Sequence, residues 1–143
     1  MSIRHTVRRL FWNVGLDITP FSAASHPVAR KRLLLDSHKI SLVLDVGANT
    51  GQFARRLRSD LGYRNRIVSF EPLSAAFREL ERSAHGDPRW EVFRLALGDT
   101  EEDREINIAN NSCSSSLLAM LPSHLKSAPE ARYVGKETIT IKK

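Results

Sequence analysis

A chain of 143 residues makes one domain of common size and leaves little room for a second. With 41% hydrophobic and 27% charged residues it is too apolar to be wholly disordered, and no apolar run approaches the roughly 20 residues that cross a bilayer. A net charge of +6 would suit nucleic acid or an anionic membrane, but the basic residues are dispersed and lack the interleaved aromatics that stack bases, so nucleic acid is not the expected partner.

In chain order, Ile3, Val7, Leu10, Phe11 and Val14 form one stripe with Arg4, Arg8 and Arg9 off it, which predicts an amphipathic helix over 3–15, ended by Gly15. Such a helix either packs on its own domain, the outcome expected here, or lies on anionic lipid as a peripheral contact. The same segment begins like an export signal, but Asn13 and Asp17 break its apolar stretch. Pro20 and Pro27 bracket a loop before a second helix over 28–37. Residues 1–39 thus read as a helical extension ahead of a domain spanning 40–143.

Leu42–Val46, Ile67–Phe70 and Trp90–Ala96 are short apolar runs closed by glycine or proline signals and read as buried strands. Between them Phe53, Ala54 and Leu57, then Ala76, Phe77 and Leu80, recur at helical spacing. Strand, helix, strand, helix, strand begins a parallel α/β sheet. Beyond Asp99 the pattern changes, and Glu105–Ile108 and Glu137–Ile141 alternate as half-buried strands that should pair antiparallel across an intervening loop. The Asn- and Ser-rich stretch 110–116 within that loop reads as an ordinary solvated segment. The lone Cys113 forms no intrachain disulfide, which suits a reducing compartment, and a cytoplasmic location is expected.

The informative segment is Leu42-Val-Leu-Asp-Val-Gly-Ala-Asn-Thr-Gly-Gln-Phe53, a strand running into a glycine-bearing turn and then a helix, where doubly wound sheets bind their cofactor. Gly47 can take backbone angles closed to other residues, and Gly51 can admit a ligand or a packed strand near the backbone. Glu71 ends the second strand, where an acid can accept hydrogen bonds from ribose hydroxyls. A tight turn without ligand would account for the glycines alone, but not for their pairing with this glutamate. The dinucleotide fingerprint G-x-G-x-x-G is not met. Asp45, just ahead of the turn, would repel a pyrophosphate and attract a ligand carrying an ammonium and a sulfonium, such as S-adenosylmethionine.

The stretch Asp45-Val-Gly-Ala-Asn-Thr-Gly-Gln-Phe53, with Ser69-Phe-Glu-Pro72, Ala96-Leu-Gly-Asp99 and Asn111-Ser-Cys-Ser-Ser-Ser-Leu-Leu118, resembles the class I S-adenosylmethionine-dependent methyltransferases and, within them, the FkbM family. The resemblance runs over about residues 40–141 and implies a Rossmann-like α/β fold. It also implies that Asp45, Gly47 and Gly51 line the methionine end of the cofactor, with Asn49 and Thr50 contributing from the turn and Ala48 among the cofactor-binding residues. Glu71 would hold the ribose hydroxyls, and Pro72, Ala96 and Leu97 would lie by the adenine. Asp99 would either accept from the adenine amino group or cap the next turn. The segment 111–116 would lie near the acceptor.

By the same resemblance the reaction is methylation of an oxygen, on a sugar or polyketide-type hydroxyl of a small-molecule or glycolipid acceptor. No catalytic residue stands out; His124 is a candidate general base, although a solvated surface histidine is the expected outcome, and His85 has a weaker claim. No cluster has metal-ligand spacing, and no metal is implied.

Family members continue into a further parallel strand with an Asp-x-Glu-Gly-type motif that these residues do not contain. We therefore expect a partial domain, truncated after the first strands of the sheet, with the outer edge of the Leu42–Val46 strand unpaired and prone to association. The alternatives are a truncated, non-catalytic remnant of such an enzyme, or a basic protein held on membrane or nucleic acid through residues 1–32.

Overall fold

The structure, a computed structural model, describes residues 3–18 and 21–143, and of residues 3–5 the backbone alone. The first helix, α1, spans Ile3–Trp12, and Gly15 at φ +74° terminates the turn that follows. Its apolar stripe does not pack on the domain: Val7, Leu10, Phe11 and Val14 are all exposed, Val14 to 69%. The expectation of a packed helix is thereby corrected. What orders the segment is its own connection, because Arg8 donates to both carboxylate oxygens of Asp17 at 2.6 and 2.7 Å and Trp12 Nε1 donates to Oδ1 at 3.0 Å. Those bonds hold the Asp17 pKa at about 2. Helix α2, Pro27–Ser37, begins as its sequence predicts, with proline in the first turn and His26 Nδ1 accepting from the Val28 N–H at 3.2 Å.

Strands β1 (Leu42–Val46), β2 (Arg66–Phe70) and β3 (Trp90–Phe93) form a parallel sheet in the order β1-β2-β3, with helices α3 (Gln52–Ser59) and α4 (Ser74–Ala84) as the crossovers. The helical periodicity reappears as burial: Ala54 and Leu57 of α3 and Leu80 and Ala84 of α4 cover Val43, Ile67 and Trp90 on one face of the sheet. Phe53, counted in the same stripe, is instead half exposed. On the opposite face Leu42, Leu44 and Val46 are exposed, two of them to 57%, and Phe93 stacks on Phe70 with ring centroids 5.7 Å apart. The apolar run of β1 is thus covered on one side only.

The apolar run beginning at Trp90 is not one strand. It leaves the first sheet after Phe93, where Arg94 reaches Glu137 at 3.0 Å, and re-forms as β4 (Ala96–Leu97) in a second sheet. That sheet has the order β4-β6-β5, with β5 (Glu102–Ala109) antiparallel to β6 (Tyr133–Lys142) and Glu105 opposite Thr138, as the alternation predicts. The connection between them also holds a short helix, α5 (Pro122–Ser127), and a 3-10 turn at Pro129–Ala131. Ile106, Ile139 and Ile141 pack on Leu73 and Ala76 in a second core. Helix α4 therefore serves both cores, and the Ser74 N–H at its start donates to Glu137 of β6 at 3.0 Å. No helix among the described residues is long and apolar enough to cross a membrane.

Among the described residues β1 has no partner on its outer edge. An open, apolar edge strand with an exposed face favours pairing with another chain. Sedimentation over a range of concentrations should show self-association, and Leu44→Lys, which charges the exposed face without touching the buried one, should weaken it. A wild-type chain that stays monomeric throughout would refute this.

Candidate functional site

The chain leaves β1 at Val46 and must enter α3 six residues later. It does so by alternating left-handed and ordinary backbone, with positive φ at Gly47 (+74°), Asn49 (+50°) and Gly51 (+83°). Asparagine tolerates this region better than most side chains do, which explains its place between the glycines. The turn hooks onto β2, where the Phe70 carbonyl accepts from the N–H groups of Gly47 at 2.9 Å and Ala48 at 3.0 Å. On the helix side the Thr50 carbonyl accepts from Arg55 at 2.9 Å and from the Ser83 hydroxyl at 3.1 Å.

Glu71 closes the arrangement. Its side chain is nearly buried, with Oε2 accepting from the Asn49 N–H at 2.7 Å and Oε1 from the Leu73 N–H at 2.9 Å. Burial raises its pKa; the two N–H bonds oppose that, and Glu137 and Asp45 add to it by repulsion. The acid ending the second strand and the turn ending the first are therefore in direct contact, as the paired sequence signals suggested.

Asp45 lies one register step away, opposite Ser69 and on the helix-covered side of the sheet. The Ser69 hydroxyl donates to its Oδ2 at 3.3 Å, and Trp90 Nε1 donates to Ser69 at 2.9 Å. Burial also raises the Asp45 pKa, against the Ser69 bond. Ser69 and Trp90 were not among the predicted site residues. The available signal was a serine inside the apolar run Ile67-Val-Ser-Phe70, at the very register that faces Asp45.

The segment 110–116, expected to be solvated, is docked on the turn instead. Asn49 Nδ2 donates to Ser112 Oγ at 3.0 Å and to Cys113 Sγ at 3.2 Å, and Ser112 adopts φ +54°. The cause is the β5–β6 pair, which brings the loop to a side chain that backbone geometry already fixes. Among the other predicted residues, Pro72 is half-buried directly after Glu71, while Ala96 and Leu97 stand on β4, paired with Ile141 and Lys142. Among the described residues neither of the last two hydrogen-bonds to the turn, and Asp99 is exposed. His124 is exposed on α5, at a groove of about 330 Å³ that it shares with Ser114, Ser116 and Tyr133. His85 ends α4, where its backbone N–H is bonded to Glu81. No group able to hold a metal occurs among the described residues.

Compared with known families, residues 45–143 match the family described as Methyltransferase FkbM domain. No curated protein and no solved structure matches the chain.

Two predictions follow from the turn. A Cβ on Gly47 would meet nothing within 4 Å, whereas one on Gly51 would lie 3.0 Å from Leu80 Cδ1 and from the Trp90 ring. Gly47→Ala should thus cost the strain of a left-handed alanine, about 1–2 kcal/mol. Gly51→Ala should lose a further ~1–3 kcal/mol to overpacking, read by denaturant titration; equal losses would contradict this. Because the folded pKa of Asp45 lies above its ordinary 3.8, the folded state keeps a proton that the unfolded state has released. Its contribution to stability is present below 3.8 and lost as pH rises through the folded pKa. Melting temperatures of Asp45→Asn should therefore fall less than wild type over that window, and parallel curves would refute the assignment.

Proposed function

The chain belongs to the FkbM methyltransferase domain family, and from that premise we propose that it moves a methyl group from S-adenosylmethionine to a hydroxyl oxygen of a sugar or polyketide-type acceptor. The observation that carries the cofactor assignment is the contact between Glu71 and the glycine turn. Each Glu71 oxygen takes one backbone N–H and retains capacity for another donor, which suits a ligand presenting hydroxyls. The same carboxylate occupies the Asn49 N–H that a pyrophosphate would seek, and Asp45 adds a second negative charge nearby. A dinucleotide is thereby disfavoured and a cationic ligand favoured. The space beside Gly47 is open, so a ligand can approach the backbone there.

S-adenosylmethionine supplies a methyl carbon already activated by its sulfonium, which leaves alignment and exclusion of water as the main tasks of the protein. In this reading Asp45 faces the cationic end, Gly47, Ala48, Asn49, Thr50 and Gly51 shape the wall, and Glu71 holds the ribose. Pro72, Ala96 and Leu97 provide the adenine side. The docked segment around Ser112 borders the acceptor, and His124, on a groove shared with Ser114 and Ser116, is the candidate to receive the acceptor's proton. A cytoplasmic setting accompanies the reading, since Cys113 is a free thiol. The exposed stripe of α1 favours a second, additional role, a peripheral contact with an anionic lipid surface.

Calorimetric titration with S-adenosylhomocysteine tests the assignment, with NADH as the control ligand. Micromolar binding is expected for the former only, weakened about tenfold or more in Asp45→Asn, a loss of roughly 1.4 kcal/mol at the least. A folded chain that binds neither ligand, or prefers NADH, would overturn it.

A further inference from the structure

Helix α3 turns Leu57 into the core and presents Arg55 and Arg56 outward, with Arg58 mostly buried beside them. Between it and the end of α4 runs an open groove of about 740 Å³, bordered also by Arg64 and Asp87 and floored by Trp90. None of the turn residues or acids described above lines it. The guanidiniums in this groove differ in what they already hold.

Arg58 is committed to the fold, with donors to Asp87 at 2.7 Å and to the carbonyls of Tyr63, Asn65 and Arg89 at 2.7, 2.8 and 3.2 Å. Arg55 gives one nitrogen to Thr50 and Ser83 and leaves the rest of its fork unbonded among the described residues. The side chains of Arg56 and Arg64 make no hydrogen bond among the described residues. Four guanidiniums against the single Asp87 carboxylate leave three positive charges in excess around a concave surface. The scaffold fixes two of them and leaves two free to close on a ligand. An ordinary solvated helix face would splay such charges apart; here Arg58 and the Asp87 turn hold the walls of the groove together.

The geometry points to a second binding site, for a ligand bearing phosphate with two to three negative charges, gripped by Arg55, Arg56 and Arg64. Guanidinium forks match phosphate oxygens bidentately, and the groove's open form suits a headgroup or phosphomonoester that remains partly in water. The phosphate could be carried by a soluble small molecule or by a lipid headgroup. Trp90 reports on occupancy, because its indole is the floor of the groove and it is one of only two tryptophans in the chain.

The test uses the full chain with Trp12→Phe, so that Trp90 is the sole indole, and titrates it with pyrophosphate. Vesicles of phosphatidylcholine with and without a phosphoinositide are titrated in parallel. A saturable change in Trp90 fluorescence is expected, weakened by added salt and by about tenfold or more in the double variant Arg56→Gln, Arg64→Gln. Neither of those side chains makes a hydrogen bond among the described residues, so a melting temperature close to wild type will show that the variant is intact. S-adenosylhomocysteine binding should be unaffected by it, which separates this site from the turn. A response to pyrophosphate identifies a soluble phosphate as sufficient, and a response to phosphoinositide vesicles alone identifies the headgroup as the source. No saturable response to either, or a response that the double variant retains, would overturn the site.

Discussion

The Glu71 carboxylate bridges two backbone N–H groups from different parts of the chain, one in the turn after β1 and one at the start of α4. In a water-poor setting those donors would otherwise go unsatisfied, at a cost of about 1–3 kcal/mol each. The bridge therefore fixes the angle at which β1 hands over to α3 and the angle at which β2 hands over to α4. It also decides the sign of the site. An N–H that could have received a phosphate oxygen already faces a carboxylate, so a strand-to-helix turn that resembles an anion cradle in outline is acidic in fact.

From that clamp the rest of the architecture extends through α4. Its first turn is tied to the second sheet by Glu137 and by packing on Leu73 and Ala76, and its last turns are tied to the first by Leu80 and Ala84. The β5–β6 pair is long and regular, with one shift at Ile108/Ala109, and its connecting loop is thereby delivered to Asn49. The backbone of Asn49 serves Glu71 while its side chain serves Ser112. One residue in a strained conformation thus joins the glycine turn to the 110–116 loop, and both contacts help to hold it in the left-handed region.

Much of this was legible in the residues. The helical and strand periodicities reported which elements form, and the glycine turn and Glu71 reported two features that the fold brings together, because those signals are local or depend on one contact between strand ends. Illegible were the features set by unlike parts of the chain meeting. The run from Trp90 to Ala96 has the composition of a single strand, and it divides between sheets because its end pairs with β6, distant in sequence, where Arg94 also meets Glu137. The apolar run of β1 says that its side chains can be buried, not that something covers both faces. Likewise the stripe on α1 states an amphipathic character without a partner, and the bonds from Arg8 and Trp12 to Asp17 show that a local carboxylate can order such a helix where packing does not.

Net charge is the most misleading of the global descriptors here, and the reason is spatial. Most of the net positive charge is carried by residues 1–39, and a further arginine cluster stands on α3, largely in contact with solvent, where salt screens such charges within about 8–10 Å. The acids Asp45 and Glu71 are nearly buried beside the turn, where screening is weak, and Asp45 together with Glu137 of β6 raises the cost of ionising Glu71. A basic protein thus presents an acidic recess. The field felt by an approaching ion reflects the arginines, but the energy of a ligand seated against the turn reflects the carboxylates. Trp90 lies between the two regions, lining the arginine groove, packing close to Gly51, and donating from Nε1–H to Ser69, which in turn donates to Asp45. One aromatic side chain thus links, through packing and hydrogen bonds, a basic groove to an acidic recess within one small α/β unit.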